Sequence, residues 1–258
     1  GSITLPNETP QESTLLYIAR EQSTALMTQL EAVENFVDEY GIYTAGAIIN
    51  TFGIYNFARH DAEKLIAQEE AWRLGKPINT VVVDARSDWN SFKGNDFHIE
   101  DLDYEGMFFF EANSGADTAR IAVTAGQHER SQGREPAVEK FIVHGHGAPG
   151  LIVMGVNREA IDIKSYTEAA QKASTIHASE VNDYKKHLGP DFEVILQSCS
   201  TAGEALEGKN IADIISERHD VRVIASNSAV YGLRILEDGS VKFETNEADH
   251  QQVVYESP

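Results

Sequence analysis

The chain has 258 residues, 41% of them apolar, and no apolar run approaches the ~20 residues that a membrane helix needs, so membrane insertion is not expected. Forty-one acidic residues against 21 basic ones leave a net charge of −20, a poor match for nucleic acid or anionic lipid. The single cysteine excludes an internal disulfide framework and suits the cytosol or another reducing compartment.

Thr9-Pro10-Gln11-Glu12 reads as a capping box with proline at the first helical position. From Leu15 to Tyr40 apolar residues recur at helical spacing, and Gly41 marks the stop. A second apolar segment runs through Ala45, Ile48, Ile49, Phe52 and Phe57, and a third from Asp61 to Leu74 ends at Gly75-Lys76-Pro77. Residues 1–77 are therefore expected to form a helical extension or cap, and residues 78–258 a separate α/β domain. Strand signals follow at Thr80–Asp84 and Met107–Phe110, with a weaker one at Arg120–Val123; residues 87–106 and 126–137 read as polar loops. A strand is expected at Phe141–Val143 and another at Leu151–Met154, across the turn Ala148-Pro149-Gly150. Ser165-Tyr166-Thr167-Glu168 caps a predicted helix to about His187; Phe192–Cys199 reads as a strand, Glu204–Arg218 as a helix, and Val221–Asn227 as a strand. Tyr231–Glu244 reads as a hairpin turning at Glu237-Asp238-Gly239-Ser240. Strands alternating with helices predict a mostly parallel sheet with an antiparallel edge.

Two of these strands end in residues with chemistry. Lys140-Phe141-Ile142-Val143 runs into His144-Gly145-His146-Gly147, and Glu193-Val194-Ile195-Leu196 runs into Gln197-Ser198-Cys199. Parallel strands point their carboxyl ends the same way, and that rim is where sites form in open α/β sheets. A thiol and an imidazole at one rim are the minimum equipment for nucleophilic catalysis by cysteine. The histidine lies about fifty residues upstream of the cysteine, as in the caspase signature, and Gln197 keeps that signature's glutamine, whereas Thr201 replaces its glycine.

Over residues 79–247 the pattern resembles the caspase-like cysteine peptidases, and among them the self-cleaving protease domains of large bacterial toxins. These carry an apolar strand ending in Gly-His-Gly, a strand ending in a small residue, Cys and often Ser, and then a third strand and a hairpin. The resemblance implies a caspase-like, mostly parallel sheet flanked by helices with a C-terminal hairpin. It implies a thiol protease acting on protein or peptide substrates, whether as a self-processing module, an effector delivered into a host cell, or a cytosolic protease. His146 would protonate the leaving amine, Cys199 would be the nucleophile, and the N–H groups of Gly147 and Cys199 would form the oxyanion hole. Gln197 would line the specificity pocket. Relatives that cleave after Arg or Lys carry Asp there and the toxin domains cut after Leu, so basic and apolar pockets both stay open. The toxin domains are switched on by inositol hexakisphosphate in a strongly basic pocket. Here Arg222, Arg234 and Lys242 stand among Glu237, Asp238, Glu244, Glu247 and Asp249, too little positive charge for a ligand with many phosphates.

Only about 3% of an ordinary thiol is ionised at pH 7, so a neighbouring imidazole matters. The resemblance selects His146 over His144, because the toxin-domain pattern puts Gly before the histidine and only His146 has Gly145 there; His144 would be a strand residue or supporting partner. In an extended chain the two would point to one face. A His-Gly-His pair could begin a metal site, but a third ligand with supporting spacing is missing, so no metal is expected. An α/β-hydrolase elbow would need glycines where Gln197 and Thr201 stand, and a phosphatase loop would need an arginine after Cys199. The non-enzymatic alternatives are a small buried cysteine and a catalytically silent, protease-like binding or regulatory module, with the N-terminal helices as its partner surface.

Overall fold

A computed structural model of the chain describes residues 27–54, 56–86, 106–154, 175–176, 184–203 and 209–256. The two capping boxes at Thr9 and Ser165 and the expected loop over 87–105 lie outside these residues.

Helix α1 (27–40) ends at Gly41, whose φ of 89° breaks the helix before α2 (Ile42–Phe52). A short turn of helix, α3 (Asn56–Arg59), precedes α4 (Ala62–Arg73), and Gly75, at φ 68°, closes the helical part. These helices do not form a core apart from the sheet. Phe52 lies 5.2 Å from Phe110 and 6.2 Å from Phe108, and Trp72 packs edge-on against both. Phe36, Ile48, Phe52 and Leu65 belong to the same buried cluster as the strands.

The main sheet comprises β1 (Thr80–Ala85), β2 (Met107–Ala112), β3 (Lys140–His144), β7 (Glu193–Gln197), β8 (Val223–Ser226) and β11 (Gln252–Tyr255), in the order β11-β8-β7-β3-β1-β2. All its pairings are parallel except β8–β11. Alternate residues of each strand enter opposite layers. Val81, Val83, Phe141, Val143, Val194 and Leu196 join the helices α5 (Gly115–Ser131) and α7 (Ile211–His219) in the larger core. Val82, Phe109, Ile142, Ile195 and Ile224 pack against the hairpin of β9 (Gly232–Ile235) and β10 (Val241–Glu244). With both faces covered, the strands read as unbroken apolar runs.

Several expectations change. Arg120–Val123 is not a strand, and 126–131 is not loop. Both belong to α5, whose buried positions Thr118, Ile121, Ala122 and Ala125 follow the helical period, while the Ser114 side chain accepts the Asp117 N–H at its start. Thr175 and Ile176 are not helical; as β6 they pair with β5 (Leu151–Val153), while α6 covers Lys185–Leu188 and the rest of the expected helix, 165–174 and 177–183, lies outside the described residues. The last helix starts only at Ile211, because the Asn210 side chain caps it by accepting the Asp213 N–H. The antiparallel edge comes from Gln252–Tyr255, which carried no strand expectation, while the hairpin forms a separate two-stranded sheet.

The opposite edge is closed by side chains. Gln68 Oε1 accepts the Phe109 N–H at 2.7 Å, and the amide groups of Gln68 and Asn56 donate to the Phe109 carbonyl. An exposed strand edge invites pairing by another chain, and here its central ladder groups are occupied. Among the described residues no helix is long and apolar enough to cross a membrane.

Candidate active site

β3 and β7 are neighbours in the sheet, with Val143 opposite Leu196 and His144 opposite Gln197. His144 is also opposite Asp84 on β1, and Asp84 opposite Glu111 on β2. In-register residues of parallel strands face the same way, so Glu111, Asp84, His144 and Gln197 form a polar row at the carboxyl rim. The row is deep: Asp84 is 2%, His144 3% and Gln197 1% exposed. His144 Nδ1 lies 2.7 Å from Asp84 Oδ1, and since an ionised carboxylate can only accept, Nδ1 is the protonated nitrogen. His60, just past α3, brings Nε2 to 3.9 Å from Asp84 Oδ2 and lays its ring 4.4 Å from that of Phe109. Glu111 pairs with Arg86 at the end of the row.

His144 and His146 therefore do not share a face of one strand, as even spacing suggested. The chain leaves the main sheet at Gly145, and β4 (His146–Ala148) runs antiparallel to β5 in a small three-stranded sheet. A Cβ on Gly145 would sit 2.8 Å from the Val153 carbonyl oxygen and 3.0 Å from Ala85 Cβ. The departure thus needs a residue without a side chain.

This turn brings the second histidine to the cysteine segment. A Cβ on Gly147 would lie 2.7 Å from both the Cys199 carbonyl oxygen and Ser198 Cβ, and 3.0 Å from Thr201 Cγ2. The His146–Gly147 backbone is therefore laid directly on the Ser198–Cys199 turn. Cys199 is half-buried, with Sγ 3.9 Å from the Val230 carbonyl oxygen, and His146 Nε2 is shielded from solvent. The turn itself is pinned. Ser200 sits at φ 56°, a left-handed conformation that costs a non-glycine residue about 1 kcal/mol. The Ser200 N–H donates to Ser228 O at 2.9 Å and the Ala202 N–H to Ser226 O at 2.8 Å.

Gly147→Ala is expected to push β4 off this turn, because backbone and a short side chain oppose the new methyl and neither can swing aside. We expect a loss of about 1–3 kcal/mol in a urea titration, the usual cost of overpacking, and altered reactivity of Cys199. A variant as stable as the parent, with an unchanged thiol, would refute the close approach.

The expected site residues thus divide. Gly147, with His146 immediately before it, lies on the Ser198–Cys199 turn, and Gln197 lies two residues before the cysteine in the buried row beside His144. Asp84, His60 and the Ser226–Ser228–His250 group behind the turn were not singled out from sequence; for Asp84 the available signal was an acidic residue ending the Val81-Val82-Val83 run. Near the hairpin, Arg234 pairs with Glu244, and Arg222 with Glu193 and Glu256. Among the described residues no group of three or more His, Cys, Asp and Glu side chains could hold a metal ion. No family model, curated protein or solved structure matches the chain.

Proposed function

We propose that the chain is a caspase-like cysteine endopeptidase using Cys199 as nucleophile and His146 as proton donor and acceptor. One observation carries this reading: two segments far apart in sequence meet at the carboxyl rim of neighbouring parallel strands, with Gly147 pressed on the Ser198–Cys199 turn. His146 takes up the thiol proton as Sγ attacks a peptide carbonyl, which forms a C–S bond, opens the C=O π bond and places negative charge on the carbonyl oxygen. The backbone N–H groups of Gly147 and Cys199 are the donors proposed to receive that charge, and rigid donors aimed at developing charge are among the largest catalytic terms. Collapse of the intermediate breaks the C–N bond as His146 delivers a proton to the leaving amine. Water, deprotonated by the same imidazole, then hydrolyses the thioester. His144 is assigned no proton transfer, since its side chain is buried in the polar row of the main sheet, before the chain turns off at Gly145 towards the cysteine segment. The resemblance to toxin protease domains extends the proposal to self-processing and to work inside a host cell.

The test is alkylation by iodoacetamide at pH 7. A thiol assisted by His146 is expected to react well above the rate of a free cysteine, and His146→Ala to bring it down to that rate. A folded protein whose Cys199 does not react would instead favour the silent, protease-like module.

A further inference from the structure

We propose that His250 is a positioning residue for the nucleophile, acting through Ser226, Ser228 and the segment that ends at Val230. The inference rests on the peptidase reading for its kinetic consequence, and its geometry stands apart from it.

The imidazole Nδ1 of His250 lies 3.0 Å from Ser228 Oγ and 3.2 Å from Ser226 Oγ. The two serines are also tied to each other: the Ser226 hydroxyl donates to the Ser228 carbonyl at 3.0 Å, and the Ser228 N–H donates to Ser226 Oγ at 3.1 Å. Ser226 is fully buried and Ser228 is 7% exposed. Burying hydroxyls without partners is costly; the Ser226 hydroxyl has the Ser228 carbonyl and N–H, and the His250 ring nitrogen is the partner of the Ser228 hydroxyl while lying against that of Ser226. The same short segment supports the cysteine turn. Ser228 O receives the Ser200 N–H, Ser226 O receives the Ala202 N–H, and Val230 O faces Cys199 Sγ. From its far side the segment is held by residues 244–251, since the Thr245 hydroxyl donates to Ala229 O and the Gln251 N–H to Asn227 Oδ1. Among these ties His250 is the one side chain that contacts both buried serines. It precedes the C-terminal strand, and removing the ring takes away the side-chain tie shared by the two serines whose carbonyls hold the cysteine turn.

Small displacements at a reacting centre cost far more in rate than in stability: about 1 Å can cost a hundredfold. The experiment compares His250→Ala, His250→Asn and Ser228→Ala with the parent. It measures kcat and KM for cleavage of a peptide library, alkylation of Cys199 at pH 7, and thermal unfolding. We expect His250→Ala to lower kcat by roughly ten- to a hundredfold with KM little changed, and to slow alkylation. His250→Asn, whose amide can still meet a serine oxygen, should recover most of both, and Ser228→Ala should reproduce the loss if His250→Ala does not fold. Parent-like kcat and alkylation in His250→Ala overturn the proposal. So do faster alkylation, which marks the ring as a shield, and failure of His250→Asn to recover more than the alanine variant. The two readings fail separately. If no peptide is cut, or Cys199 reacts alike with and without His146, the dyad falls; a slowed alkylation in His250→Ala that His250→Asn restores still establishes the clamp.

Discussion

Cys199→Ala is expected to reduce peptide cleavage to background, and His146→Ala to lower kcat/KM by about a hundred- to ten-thousandfold, the usual worth of a positioned proton-transfer group. The alanine at 199 removes the only thiol in the chain, so no other cysteine can take its place. Residues that act as one unit lose activity non-additively, so the double variant should be no slower than Cys199→Ala alone. Far-ultraviolet circular dichroism should match the parent in each case, because both residues lie at the rim rather than inside the main sheet. Measurable turnover by purified Cys199→Ala would end the peptidase proposal. Parent-like activity in His146→Ala would end the assignment of the second histidine while leaving the thiol in place.

The other large effect concerns stability. His144→Ala or Asp84→Ala is expected to cost about 3–5 kcal/mol, because each leaves a buried, hydrogen-bonded partner without its mate, and to lower the melting temperature by roughly 10 °C. His60, 3.9 Å from the second carboxylate oxygen, can relieve part of the loss when His144 is removed. The deficit should therefore be larger in a His60→Ala background. Replacing Asp84 and His144 together by apolar residues should cost less than either single change, since no charge is then stranded. Activity lost in His144→Ala should return when the protein is assayed below its lowered melting point, which separates this histidine from His146. Single variants within 0.5 kcal/mol of the parent would show that the pair does not hold the row together.

The strands were legible because both faces of the sheet are covered, which turns each into a short apolar run. Their end residues, His144 to Gly147 and Gln197 to Cys199, could be read for the same reason. What runs of this kind do not encode is which strand lies beside which. The Asp84–His144 contact depends on β1 and β3 being neighbours in register, and nothing local to either residue announces it. The even spacing of His144 and His146 misled because it presumed that the strand continues; the close packing at Gly145, set by Ala85 and Val153 from other elements, sends it elsewhere. Arg120–Val123 shows the limit of a short window: four residues are compatible with either period, and only the length of α5 reveals which applies. His60 and His250 stand singly in polar surroundings, so their roles exist only in three dimensions.

The strand order also bears on when the site comes into being as the chain is made. Counting from β1, β2 adds on one side, and β3, β7, β8 and β11 then add in turn on the other. Each new strand can dock on an edge that already exists, and chains fold from the amino terminus as they emerge from the ribosome. The imidazole is therefore in position before the sulfur. The sulfur in turn waits for the carbonyls at 226, 228 and 230 and, last of all, for the ring at 250. A nascent polypeptide halted before Ser226 carries the thiol on a turn without these carbonyls, so the surroundings of Cys199 are completed only by the strands that follow it in the sequence.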